Sequence, residues 1–391
     1  MIAMSLENTN LTDRTRMVVD LSAIVHNYEM ARKWFPEKKI RSVLKSDAYG
    51  HGIAGIAPTC EKYTDAYAVA SFEEGKAIRD AGCRKPVLIF NPVPKGTIIP
   101  AARENLSFSI GGTEYLEMVS SELRKESLTA DCHIKIDTGF NRTGFRMREE
   151  REQECLADIL KVYETKELSV KGIYTHMPVG DSNEPDDLAF TEMQVCRLKK
   201  VFELVESAGY SAGIRHAFAT EAGLNHPNQL FDMVRIGMMI YGNCGSIPQS
   251  HDLDLWPVEQ WTANIAEIEH LPVGESAGYG RTYITKRPTK LAVLSVGYGD
   301  GYRRQYAGME VLCCGRRVPV IGRICMDSMM IDITDVKDAV VGTEVVLIGT
   351  QTSEDGKEKL EIRPMELAAR FGSTCGEVTG AISKRVPRYY R

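Results

Sequence analysis

A chain of 391 residues, 43% hydrophobic and 26% charged, exceeds one ordinary core and predicts two domains, or a large barrel with an added domain. Its net charge of −5 comes from interspersed signs, which argues against nucleic acid or a membrane surface as partner. Residues 1–16 lack the apolar core of a signal peptide, no apolar run is long enough to span a bilayer, and the ten cysteines show no paired metal spacing. The expectation is a soluble cytoplasmic protein with reduced thiols.

In chain order, Val18-Val19 leads into Asp20-Leu21-Ser22. Ile24, Tyr28, Ala31 and Phe35 then follow at helical spacing, behind a cap expected at Ser22. Candidate strands lie at 40–45, 66–70, 87–90, 106–109, 132–136, 172–175, 214–217 and 233–236, with helical stretches such as 113–125 and 188–208 between several of them. Eight strands with helical crossovers in about 200 residues is the cadence of an α/β fold of the (β/α)8 TIM type. A doubly wound open sheet gives a similar alternation, and strand count alone does not separate the two. Near residues 248–256 the character changes. Short turn-bounded runs at 263–268, 291–296, 318–321, 329–333 and 345–348, with one helix at 364–371 stopped by Gly372, read as a mainly antiparallel β domain. The expected domains are a barrel over 18–250 and a mainly β domain over 251–391, with residues 1–17 packing against the latter.

Barrel enzymes gather their functional groups just after the C-terminal ends of the strands. The first strand delivers Lys45 into Lys45-Ser46-Asp47-Ala48-Tyr49-Gly50-His51. A desolvated lysine loses its proton more easily, and its neutral amine can form a Schiff base with an aldehyde such as that of pyridoxal phosphate. The ordinary alternative is a lysine that snorkels to solvent. Later strands deliver Lys135 with Asp137, Asn141 and Arg142, then His176, then Thr220, then Arg235, Gly237 and Tyr241. A phosphate suits Thr220, the Gly237 amide and Tyr49. Singly, His176 reads as a satisfied core histidine, Arg235 as an ion-pair partner and Lys135 as a buried salt-bridge lysine. Convergence on one barrel face favours a site.

Ordered motifs narrow the choice: Lys45 with Ala48-Tyr49-Gly50-His51-Gly52, Lys135-Ile136-Asp137-Thr138-Gly139 with Arg142, Tyr174-Thr175-His176, Met233-Val234-Arg235-Ile236-Gly237, Gly278-Tyr279-Gly280, Gly297-Tyr298, and Ile321 to Asp327. From about Val18 to Arg388 the chain resembles the bacterial alanine racemases, pyridoxal-phosphate enzymes built from a barrel and a β domain. The resemblance implies that Lys45 holds the cofactor as an aldimine and serves as one base. Tyr279, supplied by the second subunit of a homodimer, is the implied opposite base, supported by His176 and Arg235. Arg235 would face the pyridine nitrogen, while Tyr49, Thr220, Gly237, Met238 and Lys384 would join the cofactor site. Arg142, Met326 and Tyr298 would meet the substrate, and Lys135 stands where many family members carry a carbamylated lysine. No metal is implied.

Three positions depart from the family pattern. Ala219-Thr220 replaces Asn-Ser, Lys384 replaces a tyrosine near the phosphate, and Asp47 replaces an asparagine. A racemase of serine or another amino acid on the same scaffold therefore stands beside alanine. Remoter alternatives are a pyridoxal-phosphate decarboxylase, against which Arg235 argues, and a non-catalytic carrier of the cofactor, against which Tyr279 and the β domain argue.

Overall fold

A computed structural model describes residues 4–5, 13–244 and 253–391. The expected domain boundary at 250/251 lies outside the described residues. The chain divides into two compact units. One holds Ile24–Ala48 and Ile53–Trp256, and the other Met1–Ala23, Tyr49–Gly52 and Pro257–Arg391.

The first unit is a closed parallel barrel. Its strands are Lys39–Val43, Ala66–Val69, Val87–Ile89, Leu106–Ile110, Ala130–Asp137, Leu168–Tyr174, Ile214–Ala219 and Met233–Ile236. Each pairs in parallel with the next, and Met233–Ile236 returns to Lys39–Val43 through Arg235 opposite Arg41, which closes the ring and excludes an open sheet. These strands are short runs because both faces are buried, inward against the barrel core and outward against helices. Tyr28 and Ser42 hydroxyls meet outside the first strand, so Arg41 and Val43 point inward. The helices Thr113–Lys125 and Pro185–Ser207 bury apolar stripes, Leu116, Val119 and Leu123 in one and Val195, Leu198 and Val205 in the other.

The second unit is built on a ten-stranded sheet. Its spine, Glu259–Leu271, pairs antiparallel with Thr15–Val19, Thr289–Leu294 and Glu344–Thr352. Arg388–Tyr390 joins it in parallel with Thr15–Val19. The helix Leu21–Trp34 begins one residue before the expected cap. Asp20, not Ser22, accepts the amides of Ser22 and Ala23 at 3.0 and 3.3 Å, because its carboxylate is the stronger acceptor and also takes the Ser22 hydroxyl at 2.6 Å. All ten cysteines are free thiols, and no described helix is long and apolar enough to cross a membrane.

Candidate active site

Lys45 follows the first barrel strand by two residues rather than ending it. Strand geometry stops at Val43, and Ser46, Asp47, Ala48 and Tyr49 then take φ of 57°, 53°, 57° and 53°, a left-handed turn of four non-glycine residues. Such residues cost about 1–2 kcal/mol each in that region, so the turn persists only where neighbours hold it. Asp47 does part of this: its carboxylate accepts the Ile53 amide at 2.9 Å, and its own amide donates to Glu74 at 3.2 Å. Asp47 thus clamps the turn, through a side-chain oxygen that an asparagine would also supply.

The Lys45 side chain is exposed by area, yet protein surrounds its ammonium on the barrel side. That desolvation lowers its proton affinity; Arg142 and Arg235 lower it further, and Glu74 opposes them. Lys135 is buried, donates to the Thr143 hydroxyl at 2.6 Å, and is pushed down to about 8 by burial and then by Arg142 and Arg235. A cleft of about 410 Å³ opens beside Lys135, Ser109 and Thr143.

Arg235 is 4% exposed and has no carboxylate partner among the described residues. It donates to Ala217 O at 2.5 Å, His176 Nδ1 at 3.1 Å and His216 Nδ1 at 3.1 Å. Since a guanidinium only donates, His176 Nδ1 accepts and its Nε2 carries the hydrogen. Burial, then Arg235, Arg142, Lys45 and Lys135 together, hold His176 neutral, well below the usual histidine value. Phe140 stacks on His176 with centroids 5.5 Å apart, and the Arg142 guanidinium covers Phe140 at 4.2 Å. Thr220, buried, opens the helix Thr220–Asn225, while Gly237 is buried and Met238 half-buried beside Arg235 in sequence. Lys45, Lys135, Arg142, His176 and Arg235 are thus one group: four cations around a neutral imidazole.

The remaining expected residues belong to the other unit. Tyr49 is half-buried and Lys384 exposed. Tyr279 is 67% exposed on a turn between Gly278 and Gly280, whose φ values of 73° and 71° a side chain would strain. Arg323 lies over Gly280, and the carbonyls of Cys325 and Met326 accept the amides of Tyr298 and Gly299 at 3.0 and 2.9 Å. Tyr279, Tyr298 (40% exposed) and Met326 (53%) therefore gather about one loop, 323–326.

Sequence reasoning missed three polar residues inside the barrel: Arg41, His133 and His216. Period two gave a signal for the first two. Arg41 shares its face with Val43, and His133 shares its face with Lys135, but single polar letters in apolar runs are easily passed over.

Comparisons with known proteins agree along the chain. The family described as alanine racemase, N-terminal domain, matches residues 19–244, and alanine racemase, C-terminal domain, matches 258–390. Relatives named alanine racemase include that of Methanococcus maripaludis, 33% identical over 95% of this chain and 97% of its own, and that of Halothermothrix orenii, 34% identical over 98% of each. Among solved structures, alanine racemase from Bacillus anthracis with bound L-Ala-P superposes with a TM-score of 0.88 at 30% identity, covering 98% of this chain and 96% of that one.

Proposed function

The chain belongs to the alanine racemase family, and we propose that it interconverts L- and D-alanine by proton transfer at Cα between Lys45 and Tyr279, with pyridoxal phosphate as cofactor. The observation carrying this reading is the barrel mouth, where Lys45, Lys135, Arg142 and Arg235 surround neutral His176. Among the described residues none of these four cations is ion-paired to a carboxylate, which suits a ligand rich in negative charge, and a phosphate plus a substrate carboxylate is such a ligand.

The donor set fits the cofactor. An amine of lowered proton affinity stands ready for its aldehyde, and Arg235 is a buried donor fixed by neutral acceptors, suited to the ring nitrogen. Thr220, Gly237, Met238, Tyr49 and Lys384 are assigned to the phosphate and its surroundings. When bound, pyridoxal phosphate supplies the electron sink that acidifies the substrate Cα–H. Lys45, as a neutral amine, takes or returns the proton on one face. Tyr279 of a second copy does so on the other. A phenol, with a pKa of about 10, acts as a base only if a donor favours its ionised form, and the His176 Nε2–H is assigned that part. Arg235 holds its charge and so keeps the nitrogen it faces unprotonated, which restrains side reactions that need a stronger sink. Arg142 steadies the substrate carboxylate, with Met326 and Tyr298 closing the substrate space. Lys135 at about 8 keeps a neutral fraction near physiological pH that carbon dioxide would convert to a carbamate anion facing Arg142. Tyr279, Tyr298 and Met326, exposed together, fit a surface covered in a cytoplasmic homodimer.

Serine is the second reading, favoured by the exposed Lys384 ammonium where the family pattern has a tyrosine. Side-by-side turnover of alanine, serine, glutamate and lysine in deuterated water tests both. Inversion with deuterium at Cα, fastest for alanine, is expected. Release of carbon dioxide, or no exchange at all, would overturn racemisation, and faster serine would replace alanine.

A further inference from the structure

Behind His176 the barrel interior holds a run of four buried polar side chains. Arg41 Nη2 lies 3.3 Å from His133 Nε2, His133 Nδ1 lies 3.2 Å from His216 Nε2, and His216 Nδ1 lies 3.1 Å from Arg235 Nη1. The Tyr174 ring stacks on His216 with centroids 4.7 Å apart, and its hydroxyl meets Ser109 at 2.6 Å. Arg41 is 1% exposed and sits opposite Arg235 in strand register. Its Nε and Nη1 are buried without a partner. Burial and then the Arg235 charge push it down to about 9, opposed by the Tyr174 phenol, so it is still a cation at neutral pH. A neutral side chain of similar volume would burden the fold less. Stability therefore does not account for an arginine here.

What the charge does follows from what it touches. A guanidinium only donates, so Arg235 keeps its His216 contact only while His216 Nδ1 accepts. His216 then gives its Nε2–H to His133 Nδ1, and His133 turns its own Nε2–H toward Arg41, which is left without an acceptor. A second proton on either ring breaks this order. On His216 it would set N–H against the Arg235 N–H, and on His133 it would set N–H against the His216 N–H. Burial holds both rings neutral, well below the usual histidine value, and Arg41 is the leading charge on each, ahead of Arg235 on His216.

We propose that Arg41 is a positioning residue: a cation behind the two imidazoles that denies them a second proton, so that His216 Nδ1 stays an acceptor and Arg235 stays aligned for the cofactor ring nitrogen. The link from Arg235 to the ring rests on the racemase reading, whereas the link from Arg41 to the imidazoles does not. The test follows nitrogen-15 histidine spectra and the absorbance of bound cofactor together, from about pH 8 to 5, in the holoenzyme and in Arg41→Met. In the unmutated protein both rings should stay uncharged throughout, with His216 Nδ1 bare. In Arg41→Met one ring should take up a proton within that range, and the cofactor absorbance should change with the same midpoint. Racemisation at the acid end should then fall about tenfold or more relative to the unmutated protein, as a misaligned group predicts. Rings that stay uncharged in Arg41→Met would show that burial suffices and would overturn the proposal. So would a ring that titrates while the cofactor absorbance stays unchanged, since Arg41 would then not act on Arg235. A charged His133 or His216 in the unmutated holoenzyme would overturn it with no variant at all. Protein that binds no cofactor would sink the racemase reading instead, and the histidine spectra would still decide the link from Arg41 to the imidazoles.

Discussion

The β unit and the Arg41–Arg235 cluster of the barrel interior treat buried charge in opposite ways. In the β unit, Asp300 is fully buried and gripped through both oxygens by Arg14, one contact being 2.8 Å, while it caps the Gly297 amide at 3.0 Å. Glu259, also buried there, faces His51 Nε2 at 3.2 Å. In the barrel, Arg41 and Arg235 are as deeply buried, but their contacts are imidazoles and a carbonyl. Pairing is what a fold needs to keep charge inside. Cations left without carboxylates cost stability, and a protein carries that cost where the charge serves a site.

The comparison breaks most visibly at Lys45 and Tyr279. Lys45→Ala should lose about 10²–10⁴-fold or more in racemisation with the fold intact, as expected of a catalytic base that also anchors the cofactor. Tyr279→Phe should be similarly inactive. An equal mixture of the two variants, dissociated and reassorted, should recover roughly a quarter of the native rate, because about half the dimers are mixed and each of these has one good site of two. Verified mixed dimers that stay inactive would place both bases in one chain.

Asp300→Ala should act on stability instead. It leaves the part-exposed Arg14 without its carboxylate and the Gly297 amide without its acceptor, and should cost about 2–3 kcal/mol, read as a lowered denaturation midpoint. A change below 1 kcal/mol would mean that the β unit does not depend on its paired charge.

Lys135→Met should have the smallest effect, and with the opposite sign. The folded-state value of about 8 lies below the ordinary 10.5, so burying the protonated amine penalises the fold below pH 8. Between about 8 and 10.5 the unfolded chain binds more protons, and stability rises with pH. The variant should flatten that rise and gain about 1–3 kcal/mol near pH 7. An unchanged slope in thermal unfolding from pH 7 to 10 would contradict the shift.

Much of this contrast is readable from the sequence, and the rest is hidden for physical reasons. The barrel strands stand out because each is a short apolar run bounded by turns, so ends such as Met233–Ile236 fall where expected. The partners of Thr15–Val19 do not stand out, since pairing with Arg388–Tyr390 joins opposite ends of the chain and leaves no local periodicity. Lys45, Arg142 and His176 are conspicuous as polar residues after strands, and Arg235 as an arginine inside one. Arg41 is not, because Ile40 and Val43 dominate its run, and its lack of an acceptor is a property of three other strands.

Reductive trapping tests the central assignment most directly. Borohydride treatment of the yellow holoenzyme followed by peptide mapping should place the cofactor on the peptide containing Lys45, whose amine is lowered by burial and by Arg142. Label on Lys135 or Lys384 in place of Lys45 would contradict it.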